Sequence, residues 1–405
     1  MYIFLTNQYM PIPGATGLCI HKLAKELAKE EKVYTICYKN ISKRKVFDNV
    51  EIISVNAPSY FNCMYKNRLD KIYKHARSLI AKLIHIKHYP LRSFRLVNTY
   101  IRETEKLIKN EKEKIVIVAS YTPLEAVIAA YKLKDKYKDR VKIVYYSADT
   151  LSNEMGNSGI LSASYRQKCG RIWEKKLFKK FDKILIMECH NEYYSSDEYK
   201  EFSKKIDVVN FPLFEPQQIT IKKNNLKTSF LYAGTLYKKL RNPEFLCECM
   251  IKLSKIKSIE VDFFGSGDCT DVLNNATKNS NGAIQYNGMK SHEYIISRIE
   301  KVDILLSIGN IDSPMSPSKI YEYMNTGKPI IHFYTDDKDV CLKPLTEYRN
   351  SLLIKNKDPY AVEKIENFLS NYYVINYEIL KKLFMKSTPE YTVNILKKMT
   401  EDDIN

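Results

Sequence analysis

The chain has 405 residues, enough for two or three domains with cores of their own, and its 44% hydrophobic and 28% charged residues are the balance of an ordinary folded protein. No apolar run reaches the roughly 18 residues a membrane-spanning helix needs. The nine cysteines include no CxxC pair, which argues for reduced thiols over a disulfide or zinc framework, and the seven histidines show no paired ligand spacing, so no metal is expected. The formal net charge of +18 is unevenly spread along the chain.

The opening MYIFLTNQYMPIPG lacks a basic leader and breaks at Pro and Gly, so it reads as a first strand and not as a secretory signal. Further strands are expected at 32–39, 50–55, 114–121, 142–148, 183–188 and 207–209. Helices fall between them. Residues 17–30 carry Ile20, Leu23, Ala24, Leu27 and Ala28 in the i, i+3, i+4, i+7, i+8 stripe, and another helix is expected at 162–181 around the only tryptophan, Trp173. From Tyr65 to Asn98 nine Lys or Arg (Lys66, Arg68, Lys71, Lys74, Arg77, Lys82, Lys87, Arg92, Arg95) face one acid, Asp70. Leu79, Ile80, Leu83, Ile84 and Ile86 are interleaved with them. That pattern suits a basic amphipathic helix at an anionic membrane surface, or a solvated helix face. No zinc finger or RNA-binding strand signature accompanies the charge, so nucleic acid is not the expected partner.

At 210–227, NFPLFEPQQITIKKNNLK, the composition turns polar and proline-bearing, which marks a linker. Strands then resume at 229–234, 258–265, 283–288, 303–309, 328–334 and 351–356, again with helices between, and the tail is helical, with helices near 377–385 and at PEYTVNILKKMT. Continuous apolar strands separated by helices predict parallel sheets covered on both faces. The expected fold is α/β: two tandem Rossmann-like doubly wound domains facing a cleft, over residues 1–211 and 212–385. The C-terminal helix, 386–405, is expected to pack back on the first domain.

Ligands of such sheets bind beyond the carboxyl ends of the strands, and three stretches fall there. In QYMPIPGATG, Gly14 and Gly17 flank a helix start at which Thr16 is a candidate N-cap. The spacing is not GxGxxG, which disfavours NAD. In YAGTLYKKLRNPEFL, Gly234 ends a strand, and Lys238, Lys239 and Arg241 precede a helix starting near Asn242, where they suit a diphosphate. In SPSKIYEYMNTGKPII, Ser316 suits an N-cap, Pro317 the first helical position and Gly327 the residue past the end. Ser318, Lys319 and Glu322 then share one side. Ser318 and Lys319 suit phosphate oxygens, and the Glu322 carboxylate suits two adjacent hydroxyls such as those of a ribose. A capped helix with a Lys319–Glu322 ion pair accounts for the same residues without any ligand.

PSKIYEYMNTGKPII resembles the nucleotide-binding segment of glycosyltransferases with the two-Rossmann GT-B fold, closest to the family 4 group of bacterial polysaccharide synthesis. PIPGATG, VVNFP, YAGTLYKKLRNPEFL, FFGSGD and YNGMKSHEYI resemble further parts of that family in the same order. The resemblance implies a metal-independent transferase without a cofactor. It would move a sugar from a nucleoside-diphosphate donor, a UDP-sugar by preference, to a glycan or lipid-linked glycan acceptor. Glu322 would bind the ribose. Ser318, Lys319, Arg241 and Lys238 would contact the diphosphate, Gly14, Thr16 and Gly234 would lie along the donor, and Met289 would lie near the base. Asp149, with Glu154, resembles an acidic acceptor-side motif and is the candidate general base. The family's first glutamate, eight positions before the second, is Pro314 here, with Asp312 nearby but out of register, so the sugar and the stereochemical course stay open. A cytoplasmic protein is implied, with residues 65–98 as a candidate peripheral attachment to the inner face of the membrane. A non-NAD UDP-sugar epimerase of the same fold and a non-catalytic nucleotide-sugar-binding scaffold are the alternatives.

Overall fold

The computed structural model of the chain describes residues 1–11, 13–38, 44–61, 67–152, 162–217, 227–311 and 318–401. They fall into two compact units, Met1–Pro212 with Thr388–Asn405, and Leu213–Ser387. The first unit runs β1 (Tyr2–Leu5), α1 (Ala15–Leu27), β2 (Val33–Tyr38), β3 (Arg44–Phe47), β4 (Val50–Val55), α2 (Arg68–Ile84), α3 (Phe94–Lys109), β5 (Ile115–Tyr121), α4 (Leu124–Tyr137), β6 (Val141–Ser147), α5 (Ala163–Lys180), β7 (Lys183–Met187), α6 (Asn191–Tyr194) and β8 (Ile206–Val209). The second runs β9 (Thr228–Ala233), α7 (Glu244–Ser254), β10 (Ile259–Phe264), α8 (Thr270–Asn279), β11 (Ile284–Tyr286), α9 (His292–Ile299), β12 (Ile304–Ile308), α10 (Lys319–Asn325), β13 (Ile330–Tyr334), α11 (Leu342–Tyr348), β14 (Ser351–Lys355), α12 (Ala361–Leu369) and α13 (Tyr377–Leu383). The last helix, α14 (Pro389–Glu401), belongs to the first unit.

The first sheet has eight strands in the order β3-β4-β2-β1-β5-β6-β7-β8, parallel except for β3 against β4. Every residue of β1, β2 and β5 is buried, as strands covered on both faces require. Their Ile and Tyr side chains, with Leu5 and Ala119, form a core with Val127 and Leu133 of α4 and Phe178 and Phe181 at the end of α5. Helix α1 contributes Cys19, Ile20, Leu23, Ala24 and Leu27 to the buried side. Helix α14 lies against α1, and Lys397 ion-pairs with Glu30 at 2.6 Å.

β3 departs from the sequence reading. RKVF is charged and exposed over its first three residues, so no apolar run marks it. It is an antiparallel edge strand, and its cations guard a free edge. Asp48 and Asn49 join it to β4 with φ of 48° and 60°, the left-handed pair of a tight hairpin turn. The expected linker departs as well. Phe211, Leu213 and Phe214 are buried, Phe214 packs on Phe384 at 5.4 Å, and its amide donates to the Ser387 carbonyl at 3.0 Å. Residues 218–226 of that stretch lie outside the described residues.

The second sheet is wholly parallel, in the order β11-β10-β9-β12-β13-β14. Its core joins Phe230, Val261 and Leu306 of the strands to Leu246, Met250 and Ile365 of α7 and α12. Each sheet has one place where successive connections leave in opposite directions, between β1 and β5 and between β9 and β12. Such switch points leave a crevice at the carboxyl ends of the strands. All eight described cysteines are free. Among the described residues no helix is long and apolar enough to cross a membrane.

Candidate functional site

In the second unit, the loops after β9 and β12 meet at the switch point. The amide of Ile311 donates to the Leu240 carbonyl at 2.9 Å, and the Arg241 Nε donates to Asn310 Oδ1 at 2.6 Å. These bonds fix the guanidinium of Arg241 beside the loop that leads to α10. The amide of Gly234 donates to the Phe264 carbonyl at 3.0 Å, and the Gly234 carbonyl oxygen lies close against the loop after β10. Gly265, with φ +147°, would place a Cβ 1.8 Å from that oxygen, so only glycine lets the two loops close. Tyr323 of α10 reaches back to the same strand end, its hydroxyl accepting from the Ala233 amide at 2.8 Å.

Glu322 projects from α10 with its side chain 12% exposed. Its Oε2 lies 2.7 Å from Lys319 Nζ and 3.5 Å from His292 Nε2. Burial works to raise the carboxyl pKa, but the Lys319 ammonium and the His292 ring outweigh it and hold the group down to about 2. The result is a largely buried carboxylate that stays ionised, with the Lys319 ammonium and the His292 ring on its flanks.

The sequence candidates are placed unevenly. Gly234 and Arg241 lie on the loop after β9, and Lys319 and Glu322 on α10, whose Tyr323 reaches the end of β9. Helix α10 begins at Lys319 with Ser318 in the flanking position, and the Ser318 side chain makes no capping hydrogen bond. The expected cap at Ser316 and first position at Pro317 lie outside the described residues, as do Asp312 and Pro314. Gly327 follows the helix at φ +70°, and a Cβ there would strike the Ile375 carbonyl at 2.2 Å, so the C-terminal stop holds. Lys238 is exposed and pairs with Asp271 at 2.7 Å. Met289 is 73% exposed. His292 was not among the candidates, since 30 residues separate it from Glu322 and no spacing links them.

A buried cluster borders the same loop. His332 Nδ1 and Ser307 Oγ lie 3.0 Å apart, and His332 Nε2 and Asp339 Oδ2 are 3.1 Å apart. Cys341 completes a set whose ligand atoms lie within 4.8 Å of one another. Burial acts to raise the Asp339 carboxyl, yet His332 and the Cys341 amide hold it below its ordinary value. A Cβ on Gly309 would overlap Asp339, so this hydrogen-bonded pair packs directly against the start of the loop after β12. The sequence spacing gave no sign of it.

In the first unit, Gly14 is the N-cap of α1 and Thr16 lies inside its first turn. The expected Thr16 cap is therefore replaced by a glycine with ordinary backbone angles, φ −80° and ψ 176°. A Cβ on Gly14 would meet nothing within 4 Å, whereas one on Gly17 would meet the Gln8 carbonyl at 1.9 Å. Gly17 is needed for the loop to pack on the helix; Gly14 is not. Across the switch point Asn7 donates to Thr122 at 3.1 Å.

Asp149 follows β6 and is partly buried; burial pushes its carboxyl up to about 6. Its neighbours are held from two sides. The carbonyl of Ala148 lies 3.2 Å from His190 Nε2, and the amide of Leu151 donates to Glu174 Oε1 at 2.8 Å. Glu174 also accepts from the hydroxyls of Tyr193, Tyr194 and Tyr199. Gly170 of α5 lets the helix approach this loop, since a Cβ would lie 2.4 Å from the Leu151 carbonyl. Glu154 lies outside the described residues.

No family model and no curated protein sequence matches the chain. Solved structures do. Sucrose-phosphate synthase from Thermosynechococcus elongatus is similar over 100% of this chain and 99% of its own, with a TM-score of 0.60 and 12% identity. The catalytic domain of starch synthase IV from Arabidopsis thaliana, bound to ADP and acarbose, covers 99% and 98% with a TM-score of 0.56 and 11% identity. WaaG, a glycosyltransferase involved in lipopolysaccharide biosynthesis, covers 98% and 99% with a TM-score of 0.55 and 11% identity. At such identity the likeness is one of architecture: the chain has the fold of the GT-B glycosyltransferases, with two Rossmann-like units.

Proposed function

We propose that the chain is a glycosyltransferase that moves a sugar from a nucleoside-diphosphate donor, a UDP-sugar by preference, to a glycan or lipid-linked glycan acceptor. The second unit binds the donor and the first binds the acceptor. The observation that carries this reading is the ionised, buried Glu322 beside Lys319, with Arg241 fixed on the facing loop of the same switch point. A buried carboxylate that cannot take up a proton near neutral pH is an acceptor for two hydroxyls at once, as a ribose offers. Arg241 and Lys319, with the Ser318 hydroxyl, hold the diphosphate, and positive charge there stabilises it as it departs. Gly234 leaves room for the phosphates to approach the strand end, and Lys238 and Met289 flank the donor from the exposed side.

Gly14 supports the same reading from the first unit. The fold does not require glycine there, but a ligand close to the backbone and to Thr16 would. Asp149, with a carboxyl near 6, suits a general base near neutral pH. In an inverting reaction its carboxylate takes the acceptor hydroxyl proton, the acceptor oxygen bonds to the anomeric carbon, and the sugar–phosphate bond breaks with its electron pair leaving on the diphosphate. In a retaining reaction the donor phosphate takes that proton and Asp149 positions the acceptor. The starch synthase IV structure holds ADP, a nucleoside diphosphate of the class proposed here. The test is a thermal-shift and hydrolysis screen of nucleotide sugars on the chain and on Glu322→Ala. Stabilisation by a nucleoside diphosphate that vanishes in the variant is expected; no stabilisation by any of them refutes the reading.

A further inference from the structure

Helix α2 is built the wrong way round for a helix of a folded core. Its buried residues are Lys74 and Ala81, and Asp70, half-buried, pairs with Lys74 at 2.8 Å. These three residues share one side of the helix, and that side rests on the protein. Its large apolar residues are all exposed: Leu69 by 75%, Ile84 by 71%, Ile72 by 58%, with Tyr73, Leu79, Ile80 and Leu83 beside them. At about 100° per residue these seven fall in one continuous arc of about 140° with only Ala76 among them. An amphipathic surface helix normally turns such a stripe inward. Here the stripe faces outward over the length of the helix, while the Asn67 side chain caps its start by accepting from the Asp70 amide at 2.8 Å.

Charge indicates what covers it. Arg68, Lys71, His75 and Lys82 line one margin of the arc, and Arg77 the other. Asp70, the one acid of the helix, is already paired on the protein side. A second copy of the chain would bring the same lysines and arginines against these margins, with like charges facing. An anionic lipid surface brings the opposite charge and an apolar layer for the stripe, and long cationic side chains can reach from such a layer to the headgroups.

We propose that α2 lies in the plane of an anionic membrane surface, with Leu69, Ile72, Tyr73, Leu79, Ile80, Leu83 and Ile84 in the acyl boundary and Arg68, Lys71, Arg77 and Lys82 at the headgroups. The proposal does not depend on the reaction proposed above, and its test uses no nucleotide. The full chain is sedimented with vesicles of phosphatidylcholine alone and with phosphatidylglycerol mixed in. Pelleting with the mixed vesicles is expected, weakening with added salt. Ile72→Glu/Leu79→Glu/Leu83→Glu should abolish it. These side chains are exposed, so the variant should keep its circular dichroism spectrum. Arg68→Gln/Lys71→Gln/Lys82→Gln should weaken binding to the mixed vesicles by about 100-fold, at about fivefold per cation near an anionic surface. Equal partitioning of the apolar variant and the wild type overturns the proposal. So does wild type that stays in the supernatant, or that sediments without lipid as a dimer which the apolar variant dissolves.

Discussion

Replacing Glu322 by Gln keeps the volume of the side chain and removes its charge. The ordinary carboxyl value of 4.5 and the value of about 2 held in the fold differ by about 2.5, or about 3 kcal/mol at 1.36 kcal/mol per pKa unit. The folded value is depressed, so this stability is present above the unfolded value and lost as pH falls through the folded one. At neutral pH the variant forfeits it only in part, because Lys319 is 29% exposed and water can solvate it once the partner is gone. A stability loss of about 1 kcal/mol is expected. The effect on binding should be larger. Two hydroxyls donating to a carboxylate contribute about 1.5–3 kcal/mol beyond what a neutral amide recovers, so the dissociation constant for UDP should rise about 10- to 150-fold. Isothermal titration calorimetry of both proteins with UDP and with its 2′,3′-dideoxy analogue checks this. The wild type should lose with the dideoxy nucleotide what the variant loses with UDP, and the two losses should not add. Equal UDP affinity in the two proteins, or fully additive losses, refutes the assignment of Glu322 to the ribose.

Asp149→Asn should lower the transfer rate by about 10²- to 10⁴-fold if the carboxylate is the base, and the limb of the wild-type pH–rate profile near pH 6 should disappear. A variant with the wild-type profile would exclude that role. Gly14→Ala and Gly17→Ala form a contrasting pair. The first should leave the melting temperature unchanged or slightly raised, since its backbone angles suit alanine, while turnover falls; the second should destabilise by about 2 kcal/mol or more, because the new methyl meets the Gln8 carbonyl. Urea unfolding and initial rates separate the two. Lys328 donates to the carbonyls of Ile299, Glu300 and Val302 at the end of α9. Lys328→Met should therefore cost about 2–3 kcal/mol by stranding buried acceptors, read as a lower urea midpoint.

The parallel strands were legible because burial on both faces leaves a strand little choice but a continuous apolar run, as in YIFL, IVIVASY and ILLSI. The edge strand β3 was not, because exposure releases RKVF from that demand. Gly14, Gly234, Arg241, Lys319 and Glu322 were singled out as candidates because loops after parallel strands and helix starts are local features. His292, Glu174 and the His332–Asp339 pair were not. Each acts through partners that the chain brings from 7 to 30 residues away, or between loops, and burial of a charged group leaves no periodic mark. Thr16 shows a different limit. A threonine near a helix start is a fair cap candidate, but the chain enters α1 two residues earlier and Gly14 takes the position.

Glu174 gathers three tyrosine hydroxyls and the Leu151 amide onto one carboxylate. An amide proton exchanges with solvent only when its acceptor lets go. For Leu151 to let go, a loop need not fray; the carboxylate must leave a cage it shares with α5, α6 and the turn that carries Tyr199. Hydrogen exchange at this single amide, two residues past Asp149, should therefore be slow out of proportion to its place in a loop. Its rate would track the opening of the whole assembly behind it, which makes it a natural reporter on how firmly that end of β6 is held.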